Sequence, residues 1–440
     1  MLVLSLRVAS IGATRVGTSV IAFVSTLLLT NLLGASEFGI YAVFLNLLLL
    51  LSSFGKWGWD GGSVRFVAAY LSDRNAGAAK AFSFYALKQV LYYSTATATV
   101  VLICAGLLLV AKVERGAPLW LFLGAAMVLP VMVVSLLSQG TLRGQGRQLQ
   151  AELYEGLIKP VALITIVFVA GFVTVAPTAT LAVVAYGTAS LLAAAGGWWR
   201  ARAAWHGVVA TALDTMPVRE WRRATAAHGL VNFCQTFIGK MPVIVAGLML
   251  PPAQVALLAV AVRVSETLQL GTTAVGLTVA PHLASLAHQG RVDQLKAAMR
   301  DARKISLLIA LVGGGGLCLF SRPVLALFGP EFSGAAGSLI ILTIAQILNA
   351  AIGPVGYLAT MTGRQAEAAR ICFAVAALSL PLLAFSGWMG SAFCLAVGYA
   401  IAMLLQSGLL WRMTRLRRAR SLPVPATAGI GAQTTIEEKS

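Results

Sequence analysis

Charge is what this sequence has least of. Of its 440 residues only 11% are Asp, Glu, Lys or Arg, less than half of the roughly 25% usual in a soluble chain. With 58% hydrophobic residues and a mean hydropathy of +0.84, that shortage excludes an ordinary solvated surface. Carboxylates are scarcest, 15 against 33 Lys and Arg. Cysteine is sparse as well. Cys104, Cys234, Cys318, Cys372 and Cys394 all fall in apolar runs and none makes a CxxC pair, a pattern of buried free thiols that excludes a disulfide framework or a cysteine metal site. No phosphate-cradling loop is present. The run Gly313–Gly316 lies inside an apolar segment with no Lys-Ser/Thr after it, so it reads as close helix packing, and direct ATP coupling has no motif to serve it. His228 and His282 have no second histidine at ligand spacing and read as hydrogen-bonded structural residues. No cofactor is expected.

What is there is a series of long apolar runs, each near the 20 or so residues that cross a bilayer. Twelve spans are expected, at about 8–33, 37–62, 80–111, 117–140, 147–171, 176–199, 221–249, 253–284, 301–321, 335–361, 365–388 and 390–411. The fold class is therefore an all-α integral membrane protein. The first stretch, MLVLSLRVASIGATRVG, has no clear cleavage site and reads as part of the first span. Basic residues alternate in side: Arg65, Arg74 and Lys80 follow span two, Arg143 and Arg147 span four, Arg200 to Arg223 span six, Arg291 to Lys304 span eight, Arg364 and Arg370 span ten. The opposite connections hold only Lys112, Arg115 and Arg322. The positive-inside rule then puts both termini in the cytoplasm. The formal charge of +18 orients the protein against anionic lipid and requires no nucleic acid.

The chain also repeats. GRQ at 146–148 recurs at 363–365, a shift of 363 − 146 = 217, and at that shift LLGASEFGIYAV (32–43) falls on MLPPAQVALLAV (249–260). Six spans per repeat make the halves parallel, related by an axis along the membrane normal. The expected organisation is a six-helix bundle at 1–203, a basic cytoplasmic linker at 204–220, a second six-helix bundle at 221–416 and a disordered tail at 417–440.

LLGASEFGIYAV, together with LFGPEFSGAAGSLIILTIAQILNAAIGPVGYLATMTGRQ (327–365), resembles the polysaccharide-transport branch of the multidrug/oligosaccharidyl-lipid/polysaccharide (MOP) exporter superfamily, which contains the Wzx-like flippases for O-antigen and exopolysaccharide units. The second copy of the turn reads VALLA where the first reads FGIYA, a departure that suggests specialised halves. The resemblance implies a V-shaped pair of bundles and alternating access. It also implies a substrate, an oligosaccharide on undecaprenyl pyrophosphate, carried from the inner to the outer leaflet of the bacterial cytoplasmic membrane for surface-polysaccharide biosynthesis. Membrane lipids and the polysaccharide polymerase machinery are the implied partners, and a monomer the implied working unit.

Ionisable groups inside spans cost roughly 2.5–3.5 kcal/mol each on insertion scales, so each needs a reason. The cations are Arg15, Lys56, Lys88, Lys159, Lys240 and Arg263, and the anions Asp60, Glu155 and Glu266. Lys56/Asp60, Glu155/Lys159 and Arg263/Glu266 have spacings that allow pairing along one helix. Arg15, Lys88 and Lys240 have no partner at such spacing; the first two lie near enough to the basic end to snorkel. Lys240, halfway along span seven and two residues before Pro242, is the leading contact for the diphosphate, with a pair to Glu155 or Glu266 of another helix as the alternative. All six cations are candidate substrate contacts, and Asp60, Glu155 and Glu266 are candidate ion-coupling groups. Trp57 and Trp59 are candidates for stacking on sugar rings, beside the commoner role of tryptophans near span ends, the interfacial belt that also takes in Trp198, Trp199, Trp205 and Trp221. Rival readings are a drug/cation antiporter, which should have an acidic cavity, a peptidoglycan-precursor flippase, and a membrane glycosyltransferase or ligase. Against the last, no connection on the charge-poor side exceeds about a dozen residues, and the protein is not expected to be an enzyme.

Overall fold

The computed structural model describes residues 2–110, 120–173, 177–288, 291–353 and 365–416, and every regular element among them is helical. The first helix, α1 (Leu2–Lys56), runs 55 residues and breaks only at Gly34, where φ is +72° and ψ 171°. A side chain would resist that conformation and glycine does not. α1 is thus two spans joined by a kink. Counted as one, it is among eleven helices of the described residues that are long and apolar enough to cross a membrane; counted as two crossings, it brings that number to the expected twelve.

The first half continues with α2 (Trp59–Ser72), α3 (Ala76–Val110), α4 (Trp120–Gly144), α5 (Gln148–Glu152), a π-helical turn (Leu153–Ile158), α6 (Lys159–Val173) and α7 (Ala179–Ala203). At the head of α7 the Thr178 hydroxyl accepts from the Leu181 N–H, and the Glu37 carboxylate accepts from the Ala179 N–H at 2.6 Å. That caps two amides a helix start leaves open and sets an anion at the positive end of the helix dipole. The second half contains α8 (Val218–Met249), α9 (Pro252–His288), α10 (Val292–Leu319), α11 (Ser321–Ala326), α12 (Ala336–Ile352), α13 (Gln365–Trp388) and α14 (Ala392–Leu416).

The 217-residue repeat is visible in a helix start. α3 opens at Ala76, which the shift carries to 293, and the observed start of α10 is Val292. Gly34, the kink, is carried to Pro251, which lies in the break between α8 and α9. The two halves break the chain at one place by different means, one by a glycine's positive φ and the other by a proline that cannot continue the helix. Between the halves, the Lys80 ammonium donates to the Val208 carbonyl at 2.6 Å and the Thr211 N–H to the Gly77 carbonyl at 3.2 Å. The connection is thereby fastened to the start of α3.

The halves meet mainly through α1 and α2 against α8 and α9, with contacts at both ends. At the end away from the basic connections, Asn31 donates to the Leu327 carbonyl at 2.9 Å, Phe23 meets Phe328 and Phe38 meets Phe332 edge to face, and Gly39 lies so close to the Pro252 carbonyl that a Cβ could not fit. At the basic end Gly58 (φ +81°) and Gly229 press backbone to backbone, while Trp221 is wholly buried among Phe82, Tyr85 and Tyr70 and donates to the Tyr70 hydroxyl at 2.9 Å. Trp221 and Trp205 are therefore packing residues and not members of an interfacial belt, whereas Trp199 is exposed. The thiols also divide. Cys234 and Cys372 are buried as expected, but Cys104 is exposed and Cys318 and Cys394 are half-buried, because an apolar helix in lipid turns one face outward.

Candidate functional site

Two cavities share two lining residues. One, of about 320 Å³, sits between the halves and is lined by α1, α6, α8 and α9, with Glu155, Lys159, Lys240, Arg263 and Glu266 among its side chains. The other, of about 660 Å³, lies within the second half, among α8, α9, α12 and α14. Lys240 and Glu266 border both. Both volumes fall within the range of about 300–1,000 Å³ typical of ligand sites.

In the first half the charge is tightly held. A π-helical turn carries Glu155, and such turns recur at functional sites because they re-aim side chains out of the regular helical register. Lys159, one α-helical turn further on, is buried; it reaches Glu155 at 2.7 Å and lies 4.6 Å from the Tyr186 ring centroid. The second Glu155 oxygen accepts from the Ser135 hydroxyl, so both ends of the pair have hydrogen-bonding partners. In low dielectric a one-to-one pair of this kind stays only because each charge is compensated.

In the second half the arrangement is looser. The Lys240 ammonium lies 3.3 Å from one Glu266 oxygen and the Arg263 guanidinium 3.6 Å from the other, with all three side chains partly exposed. Two cations share one carboxylate. Of the two readings of Lys240, the structure has the pair with Glu266 across helices, and the pair stands in a cavity wall. The lysine had no partner within reach on its own helix; the crossing of α8 and α9 supplies one. Pro242 sits buried within an unbroken α8.

The larger cavity is lined by amides and hydroxyls. Asn232, Thr236 and Lys240 on α8 are four residues apart, Glu266, Gln269 and Thr273 on α9 three and four apart, and Gln406 stands across from them on α14. These spacings put each set on one helical face. The amides were not singled out in the sequence, although polar residues at a helical period within an apolar span are a readable signal. Ser135 and Tyr186, which complete the Glu155–Lys159 cluster, carry no such signal.

The remaining candidates lie elsewhere. Lys56 pairs with Asp60 at 2.7 Å at the end of α1 and lines neither cavity. Lys88 is exposed on α3 and also lines neither, as expected of a group with no counter-ion that turns outward. Arg15 falls outside the residues whose side chains are described. Trp59 is 1% exposed, enclosed by Phe82 and Tyr85, so it has no ring face free for a sugar. The half-buried Trp57 stacks on Phe54 in the seam. The exposed His228 lies against Gly61. In the glycine run, Gly313 and Gly314 lie close to Leu268 and Ile347 of neighbouring helices, while Gly315 and Gly316 face open space. Among the described residues no group of His, Cys, Asp and Glu could hold a metal ion.

Residues 7–287 match the family model for polysaccharide biosynthesis proteins. No curated protein matches the sequence. The fold is similar to that of an inward-facing multidrug resistance MATE family transporter of the MOP superfamily, at TM-score 0.69 and 16% identity over 91% of this chain and 94% of that one. It is similar to the lipid II flippase MurJ in an inward closed conformation, at 0.66 and 12% over 92% and 87%. A MOP superfamily transporter from Pyrococcus furiosus, for which reverse polarity of the binding pocket suggests a different function, aligns at 0.63 and 16% over 93% and 94%. With most of its length inside the family model, the chain belongs to the polysaccharide biosynthesis protein family and carries the multi-pass transporter fold of the MOP superfamily.

Proposed function

We propose that the protein is a flippase that moves an oligosaccharide linked to undecaprenyl pyrophosphate from the inner to the outer leaflet of the bacterial cytoplasmic membrane, for O-antigen or exopolysaccharide biosynthesis. The observation that carries this reading is the pair of cavities that share Lys240 and Glu266 in their walls. Lys159, Lys240 and Arg263 against Glu155 and Glu266 leave a net positive wall, and the amide- and hydroxyl-lined chamber beside it suits sugar hydroxyls. The diphosphate would lie against Lys240 and Arg263, the sugars in the chamber of the second half, and the prenyl chain in lipid. Both termini would be cytoplasmic.

The two halves, 1–203 and 221–416, would rock about the seam of α1 and α2 against α8 and α9. An anion moving outward runs down an inside-negative potential. At about 2.3 kcal/mol per charge per 100 mV, two phosphate charges yield about 4–5 kcal/mol, enough to favour release outside. A drug/cation antiporter should have carboxylates in excess at this position, and here cations exceed them.

Complementation of a bacterium lacking its polysaccharide flippase tests the reading, at matched expression. Lys240→Ala is expected to abolish surface polysaccharide and Lys240→Arg to keep much of it. Normal export by Lys240→Ala would remove the diphosphate contact from the proposal.

A further inference from the structure

A third cavity, about 600 Å³ in volume, lies away from the seam, on the flank of the first half at its basic end. α3 contributes Lys80 and Phe84, the last turns of α7 contribute Trp199 and Arg202, and the connection after α7 contributes Trp205, His206 and Gly207. No carboxylate is among its lining residues.

The pocket is built in advance. The Lys80 ammonium donates to the Val208 carbonyl at 2.6 Å, which fixes its position and leaves further donor hydrogens for a ligand. Thr211 fastens the connection to Gly77, and Gly207, at φ +73°, makes the left-handed turn that folds it back. Trp205 is buried beneath.

Its surroundings are apolar where water would be expected. Trp199 is 78% exposed and Val209 86%, next to the Lys80 and Arg202 charges. In water that combination has no stabilising partner, whereas at a bilayer interface the rings and aliphatic groups sit beside acyl chains and the cations face phosphates. The helix length agrees with that depth. α7 has 25 residues, about 37 Å at 1.5 Å per residue. This exceeds a hydrocarbon core of about 30 Å, so one end of the helix emerges among the headgroups, and Trp199 and Arg202 mark it.

We infer that this pocket binds the headgroup of an anionic phospholipid from the leaflet at the basic end. The phosphate lies between Lys80, Arg202 and His206, and the acyl chains run up the outer face past Trp199 and Phe84. The lipid would join α3, α7 and the connection, holding the link between the halves onto the first of them. This site is independent of the transported substrate.

The test uses the full chain in phosphatidylcholine nanodiscs that contain a graded fraction of dibrominated phosphatidylglycerol or dibrominated phosphatidylcholine. The Trp199 signal is taken as the difference between the protein and Trp199→Phe. Brominated phosphatidylglycerol is expected to quench that signal at a mole fraction about 25-fold lower than brominated phosphatidylcholine, since Lys80 and Arg202 each contribute about fivefold in affinity at an anionic surface. The double variant K80Q/R202Q should bring the two lipids together, and Lys80→Arg should keep them apart, which separates loss of charge from loss of fold. Equal quenching by both lipids in the unaltered protein overturns the site, as does a phosphatidylglycerol preference that survives K80Q/R202Q. Abolition of the preference by excess inorganic phosphate would make the ligand a free anion and overturn the lipid assignment.

Discussion

The two charge clusters beside the cavities use similar residue types and differ in what they leave over. Around Lys159 every charge has a dedicated partner: one ammonium, one carboxylate, a serine hydroxyl on the second oxygen and an aromatic face behind the lysine. Around Lys240 two cations divide one carboxylate at 3.3 and 3.6 Å, in a wall that borders two cavities. The difference lies in stoichiometry and exposure. A closed pair holds helices together, whereas an open triad has a positive charge to spare and room for an anion to meet it. The halves share a repeat and have diverged in its use, as the uneven copies of their first turn also suggest.

The largest test of this contrast is Lys159→Ala. It leaves Glu155 buried with no cation, and breaking such a pair costs about 3–5 kcal/mol. Thermal unfolding of the purified protein in detergent should show a marked drop in midpoint, against little change for Lys240→Ala. In the latter variant Glu266 keeps Arg263, and a partly exposed pair is worth about 1 kcal/mol or less. Similar losses in the two variants would erase the distinction. An intermediate effect is expected from Gln269→Leu, in export and not in stability. It removes one amide from the chamber, and the complementation assay should show export reduced severalfold at unchanged unfolding midpoint. The smallest effect belongs to Lys88→Gln. An exposed group that borders neither cavity should change neither midpoint nor export, and a loss of export would bring α3 into the transport path.

Much of the fold was legible because it follows from one-dimensional quantities. Run length set the spans, since a bilayer has a fixed thickness. The repeat of 217 residues carries the start of α3 to within one residue of the start of α10. Among the charges inside the spans, the i to i+4 pairs Lys56–Asp60 and Glu155–Lys159 could be read from helical spacing and are present, the second of them in the site. The fate of Trp59 could not. KWGWDGG places two tryptophans near a span end, where the interfacial belt is the commoner role and sugar stacking the rarer, and the packing of α2 against α3 put Trp59 in the core.

By itself the sequence determined that the chain has apolar runs for about twelve helical spans, that a shift of 217 residues relates its halves, and that the ionisable groups within those runs are mostly cations. These are sums and periods, and they survive any arrangement of the helices. Only the tertiary structure decided which charges meet. Lys240 and Glu266 are 26 residues apart on different helices, and Ser135 and Glu155 are 20 apart. Such neighbours are set by how helices cross, which depends on small contacts such as Gly39 against Pro252 and Gly58 against Gly229. The same crossings left the amides of α8, α9 and α14 facing one chamber, because no pattern within a single helix specifies what stands opposite it.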